Sequence, residues 1–241
     1  MNQKLNIRAT KVSVARQSRH SPTADVPSRE PGRVFLLSPA NANGVRAKMI
    51  LSDRAQFGLA VRLRKGGLPL GELFSFISGL YFRGKLAYAQ AFAPNDSSKP
   101  GAFVITAGGG LIPPETPITI EQLREIAGVP IEANQARYRM PLERDARKLL
   151  KRIGKVCEVV LLGSVATPKY VEPLLGIFGE RLMFPAEFAG RGDMSRGGLM
   201  LRCARSGEQL TYVPVATAMR NGPRPPKLPK LPRISPRIVE A

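Results

Sequence analysis

Along the middle of this chain short apolar runs alternate with stretches of helical period, and that alternation predicts a mainly parallel sheet covered on both faces by helices. Val34–Leu37 reads as the first strand, Ala102–Thr106 as the second, Cys157–Leu162 as the third and Arg181–Phe184 as the fourth, with Leu210–Val215 as a candidate edge strand. Helical stretches over about 53–65 and 70–93 separate the first two strands, the former closed by Gly66 and Gly67. Thr119 with Gln122 three residues on spells a capping box for a short helix that ends at Gly128. Pro141, at a first-turn position, opens a helix with Leu142, Ala146, Leu149, Leu150 and Ile153 on one face, bases on the other, and Gly154 just past its end. Thr167 and Pro168 start another, whose Val171, Leu174, Leu175 and Phe178 turn inward before Gly179 stops it.

The two ends carry no such period. Residues 1–31 are rich in Arg, Lys, Ser and Thr and read as a disordered basic arm. From Arg220 on, Pro223, Pro225, Pro226, Pro229, Pro232 and Pro236 are interleaved with Lys and Arg, so 220–241 reads as a disordered, extended, charged tail. Between them, 32–219 is expected to be one α/β domain, because no linker or internal repeat divides it.

Composition narrows the chemistry. The 241 residues, 43% of them hydrophobic, suffice for one sizeable core. No apolar run approaches the roughly 18 residues that span a bilayer, and the first thirty residues lack an apolar leader segment, so the expectation is a cytoplasmic protein with no membrane association. Cys157 and Cys203 lack CxxC spacing and read as reduced thiols in apolar segments. The single histidine, His20, lies in the arm, which argues against Ser-His-Asp triads and multi-histidine metal sites. No metal or organic cofactor is expected.

Charge changes the picture most. There are 37 Lys and Arg against 18 Asp and Glu, for a net +19. The arm accounts for +4 and the tail for +5, so the body keeps +10. A body this basic attracts a polyanion through counterion release, although a merely solubilising surface would show the same count.

In open α/β sheets ligands bind beyond the carboxyl ends of the strands, so the segments after the strands are where chemistry is sought. The first strand is followed by a small polar loop from Ser38 through Asn41, Asn43 and Gly44 to Arg46. The second leads into Gly108-Gly109-Gly110 and then Pro113-Pro114, which lacks the ending of a P-loop and fits a plain turn as well as a ligand loop. The third gives Gly163-Ser164, and the fourth a loop from Gly190 to Gly198 in which Arg191 and Arg196 flank Asp193. Tyr81-Phe82-Arg83-Gly84-Lys85 combines aromatics with bases, as in segments that stack on nucleobases while holding phosphates.

The order of strand, Ser-Pro-x-Asn loop at 38–41, Tyr-Phe-Arg-Gly-Lys-Leu-Ala-Tyr-Ala at 81–89, Gly-Leu-Ile-Pro-Pro-Glu at 110–115 and Leu-Leu-Gly-Ser at 161–164 resembles a bacterial family within the uracil-DNA glycosylase superfamily. It is similar, over about 33–215, to glycosylase-like domains attached to archaeosine-synthesis enzymes, and the wider group includes defence enzymes that excise modified bases from phage DNA. The resemblance implies a three-layer αβα sandwich with a short, mainly parallel four-stranded sheet. It also implies a water-positioning Asn41 or Asn43 in the first loop, and a fourth loop, resembling Gly192–Arg196, that enters the minor groove. The chain departs from the family pattern in having neither an Asp-Pro in the first loop nor a histidine in the fourth.

Breaking an N-glycosidic bond passes through an oxocarbenium-like sugar, so a site must stabilise positive charge on the ring, stabilise negative charge on the departing base and present a water. On this reading Asp193 does the first, Arg191 or Arg196 the second and Asn41 or Asn43 the third. Because a duplex hides the bond, the nucleotide must also be flipped out, with Met194 as a wedge and Tyr81 or Phe82 stacking on the base. Arg46, Arg83, Lys85, Ser164 and Ser195 complete the expected nucleic-acid contacts, and Lys85 is the one candidate nucleophile for a lyase step. The expected protein is thus a monomeric DNA glycosylase acting on a modified base such as a hypermodified pyrimidine. The alternatives are an RNA or nucleoside base-modification enzyme and a nucleic-acid-binding protein without chemistry.

Overall fold

Strands that read as unbroken apolar runs are buried on both faces, which is what a parallel sheet between helical layers requires. The computed structural model describes residues 32–94, 100–218 and 222–229. The basic arm 1–31, with His20, lies outside the described residues, as does the tail apart from 222–229. In chain order the elements are β1 (Arg33–Leu37), α1 (Val45–Leu51), α2 (Gly58–Gly66), β2 (Leu68–Pro69), α3 (Leu70–Ser78), α4 (Leu80–Phe92), β3 (Ala102–Thr106) and β4 (Gly110–Ile112). There follow β5 (Pro117–Ile118), α5 (Ile120–Ala127), α6 (Ala136–Arg152), β6 (Glu158–Leu162), α7 (Pro168–Phe178), β7 (Leu182–Pro185), α8 (Asp193–Ser206) and β8 (Tyr212–Pro214).

The main sheet has the order β4-β3-β1-β6-β7-β8, and β2 and β5 form a separate small ribbon. Its four central strands are parallel, with Phe35 in register with Ala102 on one side and Val160 on the other. These are the four strands expected. The sheet has six strands rather than four, because β8 joins antiparallel at one edge and β4 at the other. Tyr88 secures the β8 edge: its hydroxyl oxygen accepts from Leu210 N at 2.8 Å and shares a hydrogen with Tyr212 Oη at 2.5 Å. The β4 edge forms where the glycine run folds back as a tight hairpin, Thr106 pairing with Gly110. Gly110 there has φ of +75°, and a Cβ on it would fall 2.2 Å from Asp145 Oδ2.

Helices α4 and α8 pack together on one face of the sheet, and α6 and α7 on the other, giving three layers. The capping box at Thr119 and Gln122 forms as expected, and α7 runs from Pro168 to the stop at Gly179. Four local expectations are corrected. The stretch 70–93 is two helices, broken where Gly79 adopts φ of +66° and Arg46 Nη1 donates to Phe76 O at the end of α3. Helix α6 begins five residues before Pro141, at Ala136, with Gln135 as its cap. Val45 and Arg46, read as the end of the first loop, instead open a helix that runs to Leu51, because Ala47 and Ile50 bury themselves against the body.

The fourth correction matters most. The segment read as a glycine loop after the fourth strand becomes helical at Asp193. Gly197 is inside α8 because the helix crosses α4 there at very close range: a Cβ on Gly84 would lie 2.5 Å from Gly197 O, and a Cβ on Gly197 would lie 2.7 Å from Leu80 O. Both glycines are therefore demanded by a backbone crossing, not by a turn. Gly84→Ala and Gly197→Ala should each destabilise the fold by about 1–3 kcal/mol, the usual effect of overpacking. In urea unfolding Gly198→Ala is the control: its Cβ meets only Leu228 at 3.6 Å, so its midpoint should stay put or rise.

Candidate active site

The first strand ends at Leu37, and the chain then turns toward the α4 side while the neighbouring β6 leads to α7 on the other. Adjacent strands that leave the sheet in opposite directions open a crevice between them, the place where α/β sheets bind ligands. A pocket of about 430 Å³ lies there. Ser38–Asn43 form one wall, Ser164, Lys169 and Tyr170 another, and Tyr81 of α4 and Asp193 of α8 a third; Ile126 near the end of α5 and Val129–Ile131 after it close the pocket with an apolar surface.

Five residues expected at a site meet in this pocket: Asn41, Asn43, Tyr81, Ser164 and Asp193. The first two are fixed by their own loop. Asn41 Oδ1 accepts from Asn43 N at 3.0 Å, and Asn41 O from Gly44 N at 3.1 Å, which makes a tight turn. Asn43 Nδ2 donates to Ala127 O at 2.9 Å, tying the turn to the end of α5. The Asn41 carboxamide nitrogen and the Asn43 carboxamide oxygen are the atoms these bonds leave for a ligand. Asp193 opens α8; its side chain is 67% exposed and stands 3.9 Å from Arg196 Nη1. Met194, the next residue, is 66% exposed.

Other expected residues do not reach a ligand. Phe82 is fully buried and packs edge-to-face on Phe74 at 5.4 Å, so it belongs to the core and cannot stack on a base. The Arg196 side chain is 11% exposed; its Nε and Nη2 donate to Phe188 O at 3.2 and 3.0 Å. Arg191 Nε donates to Glu187 O at 3.0 Å, while its Nη1 donates to Ser195 Oγ and to Pro226 O. Both guanidiniums thus hold backbone carbonyls instead of standing ready for a departing base. Arg46 is exposed on α1 but its guanidinium caps α3, and Arg83 is exposed on α4 outside the pocket wall.

The described part of the tail, 222–229, is extended, as expected, and lies along α8. Pro225 and Leu228 are half-buried, Arg224 and Lys227 exposed, and the carbonyls of Pro226 and Pro229 accept from Arg191 and Arg202. Inward positions three apart are the period of an extended polyproline strand. A groove between this strand and Arg191–Ser195 continues outward from Asp193.

Lys85 departs furthest from expectation. It is fully buried, so it makes no phosphate contact, and no carboxylate lies within ion-pair distance of it among the described residues. Its Nζ donates to Ser38 O at 2.5 Å and to Ser38 Oγ at 2.9 Å, and sits 4.3 Å from the Tyr81 ring centre and 5.1 Å from that of Phe82. Burial lowers its pKa from 10.5 to about 7, with Asp193 opposing the shift. Burial raises Tyr81 to about 12, against the pull of Arg196. Its hydroxyl makes no hydrogen bond of normal geometry, although the Arg196 guanidinium and Ser38 hydroxyl lie close enough to favour its ionised form. Burial likewise raises Tyr170.

Sequence reasoning passed over Ser38, Lys169 and Tyr170. The signals were present: Ser38 directly follows the first strand, and Lys169 and Tyr170 open the helix that follows the third. Among the described residues no cluster of three or more His, Cys, Asp and Glu could hold a metal ion, and no helix is long and apolar enough to cross a membrane. Comparison with protein families, with curated proteins and with solved structures finds no match for this chain.

The state of Lys85 should be visible in stability. Between about pH 7 and 10.5 the unfolded chain binds a proton that the folded protein does not, so this group makes stability rise with pH across that window; below it both states hold the proton and the contribution is flat. The unfolding free energy of the native protein minus that of Lys85→Met should therefore grow by about 1 kcal/mol per pH unit from pH 7 to 9. A difference independent of pH would mean that Lys85 keeps its charge inside the fold.

Proposed function

We propose that this protein is a DNA glycosylase that hydrolyses the N-glycosidic bond of a modified base and leaves an abasic site. The observation that carries the reading is the meeting of the Asp193 carboxylate and the Asn41 and Asn43 carboxamides in one pocket at the crevice of the sheet. Its volume of about 430 Å³ suits a small organic group. The parallel core and helical layers agree with the fold that the family resemblance implies.

The flipped base enters against the apolar wall of Ile126, Val129 and Ile131, with the rings of Tyr81 and Tyr170 at its side. Asp193 lies beneath the sugar, where its charge favours the oxocarbenium-like transition state. Asn41 or Asn43 holds the attacking water. Met194 fills the gap in the stack, and the groove between α8 and the basic strand of Arg224 and Lys227 takes the phosphate backbone. A pyrimidine enlarged by modification is the substrate class we favour, because Asp193 lines both the pocket and that groove, which leaves room beside the base.

The test is incubation with DNAs carrying uracil, hydroxymethylcytosine, its glucosylated form or 7-deazaguanine derivatives, followed by alkali cleavage and mass spectrometry. One of them should lose its base, and Asp193→Ala combined with Asn41→Ala should slow that loss at least about 100-fold. Base release that survives both changes would refute the residue assignment; release from RNA alone would favour a base-modifying RNA enzyme, and salt-sensitive binding without release a binding protein. Removing 222–241 should weaken DNA binding on every sequence and lower the slope of log K against log salt by about 0.9 for each phosphate that is no longer neutralised. An unchanged slope would make the tail a bystander.

A further inference from the structure

The base-excision reading leaves one chemical role without a residue. Negative charge gathers on the base as it departs, and the two arginines placed to meet it are engaged by the carbonyls of Phe188 and Glu187. The one unusual donor pair at the pocket is Ser38 with Lys85. Ser38 follows the first strand, its N–H donates to Leu162 O at 3.1 Å, and it lines the pocket while being 5% exposed. Its side chain occupies a slot that exists because residue 163 is glycine: a Cβ there would lie 2.9 Å from Ser38 Cβ and 3.1 Å from Ser38 Oγ. Since Lys85 Nζ donates to Ser38 Oγ, the hydroxyl hydrogen of Ser38 is left to turn toward Tyr81 Oη or into the pocket that both residues line.

We propose that Ser38 is the proton donor to the departing base and that Lys85, behind it, is the positioning residue that supplies the proton through the Ser38 hydroxyl. This rests on the base-excision reading. As the C1′–N bond breaks, its electron pair leaves with the base; Ser38 gives up its hydroxyl proton to the base and takes one from Lys85 Nζ. Water adds its hydroxyl to C1′, and its other proton passes to Asp193 and on to solvent, from which Lys85 is recharged once the product leaves. The transfer removes a charge from a dry site, so the burial that disfavours the ammonium also drives its proton outward.

The groups around Lys85 are few. Tyr81 is on its own helix, Ser38 on the loop after β1, Asp193 and Arg196 on α8, and Tyr170 on α7 beyond Tyr81. From α3 the ring of Phe74 packs on Phe82, and the one acid of that helix, Glu72, is paired with Arg62 at 2.6 Å. Asp193 is the carboxylate that acts on Lys85, and it favours the charged form.

Single-turnover base release measured from pH 6 to 9 tests the relay. The native rate should fall as pH rises above about 7, tenfold per unit at the steep end, as Lys85 loses its proton. Ser38→Ala and Lys85→Met should each lower the rate at pH 6 about 100-fold, remove that falling limb, and together lose no more than either alone. A merely structural role would lower rates without removing the limb. The two failures are distinguishable: if no DNA loses a base to the native protein, the glycosylase reading falls and the relay with it. If Ser38→Ala, a change small enough to fold, keeps the native rate or the native limb, the relay alone falls.

Discussion

The close crossing of α4 and α8 is the constraint on which the site depends. Gly84 and Gly197 let the two backbones approach to a distance that no side chain would permit. Lys85 follows Gly84 directly, and Asp193 precedes Gly197 by one helical turn. The same contact that locks the helices therefore carries a lysine inward to the end of the first strand and an aspartate over the pocket beside it. Neither position is set by local sequence preference, and both are consequences of where two helices can touch.

That geometry produces an electrostatic tension. A lysine buried without an ion-pair partner destabilises a fold unless it is neutral or well hydrogen-bonded, and an apolar residue of similar length would remove the penalty. Here the amine is held by two oxygens of one serine and by two aromatic rings, partners that orient it without neutralising it. Perturbed groups of this kind cluster at functional sites, because the environment that makes them unfavourable also makes them reactive near neutral pH. Tyr81 feels the same dry surroundings with the opposite sign of shift, since burial favours the neutral form of both.

How much of this was legible in the sequence depended on which physical rule governed each segment. The parallel strands were legible because burial on both faces writes an unbroken apolar run, and the helices with caps because Thr119, Pro168 and Gly179 act locally. The helix at 193–206 was not, because Gly192, Gly197 and Gly198 look like loop composition when glycine is taken only as a turn residue. Glycine at a helix crossing has the same letter and a different cause. Val45–Leu51 was missed for want of length, as two buried residues do not make a readable period. In the site, loop position sufficed to find Asn41, Asn43, Ser164 and Asp193, whereas Phe82 and Lys85 were misread because their neighbours suggested a binding surface. Helical phase would have corrected them: Lys85 lies four residues after Tyr81 and three before Tyr88, on the buried face, while Arg83 alone of that pentapeptide faces solvent.

The net charge needs the same discrimination between a residue's type and its situation. Many of the basic groups that make up the +19 are bound within the fold: Arg33 to Glu158, Arg62 to Glu72, Arg139 to Glu143 and Glu172, and Arg191 and Arg196 to backbone carbonyls. A guanidinium already holding a carbonyl keeps its long-range field but offers fewer hydrogens to a phosphate, so steering and contact come from different residues. The extended strand over α8 carries bases of the other kind, open to solvent. Its three-residue period turns Pro225 and Leu228 inward and leaves Arg224 and Lys227 exposed along the groove that runs to Asp193. Arg191 donates to the strand's own backbone at Pro226, so the arginine beside Asp193 holds in place the segment that carries these exposed bases.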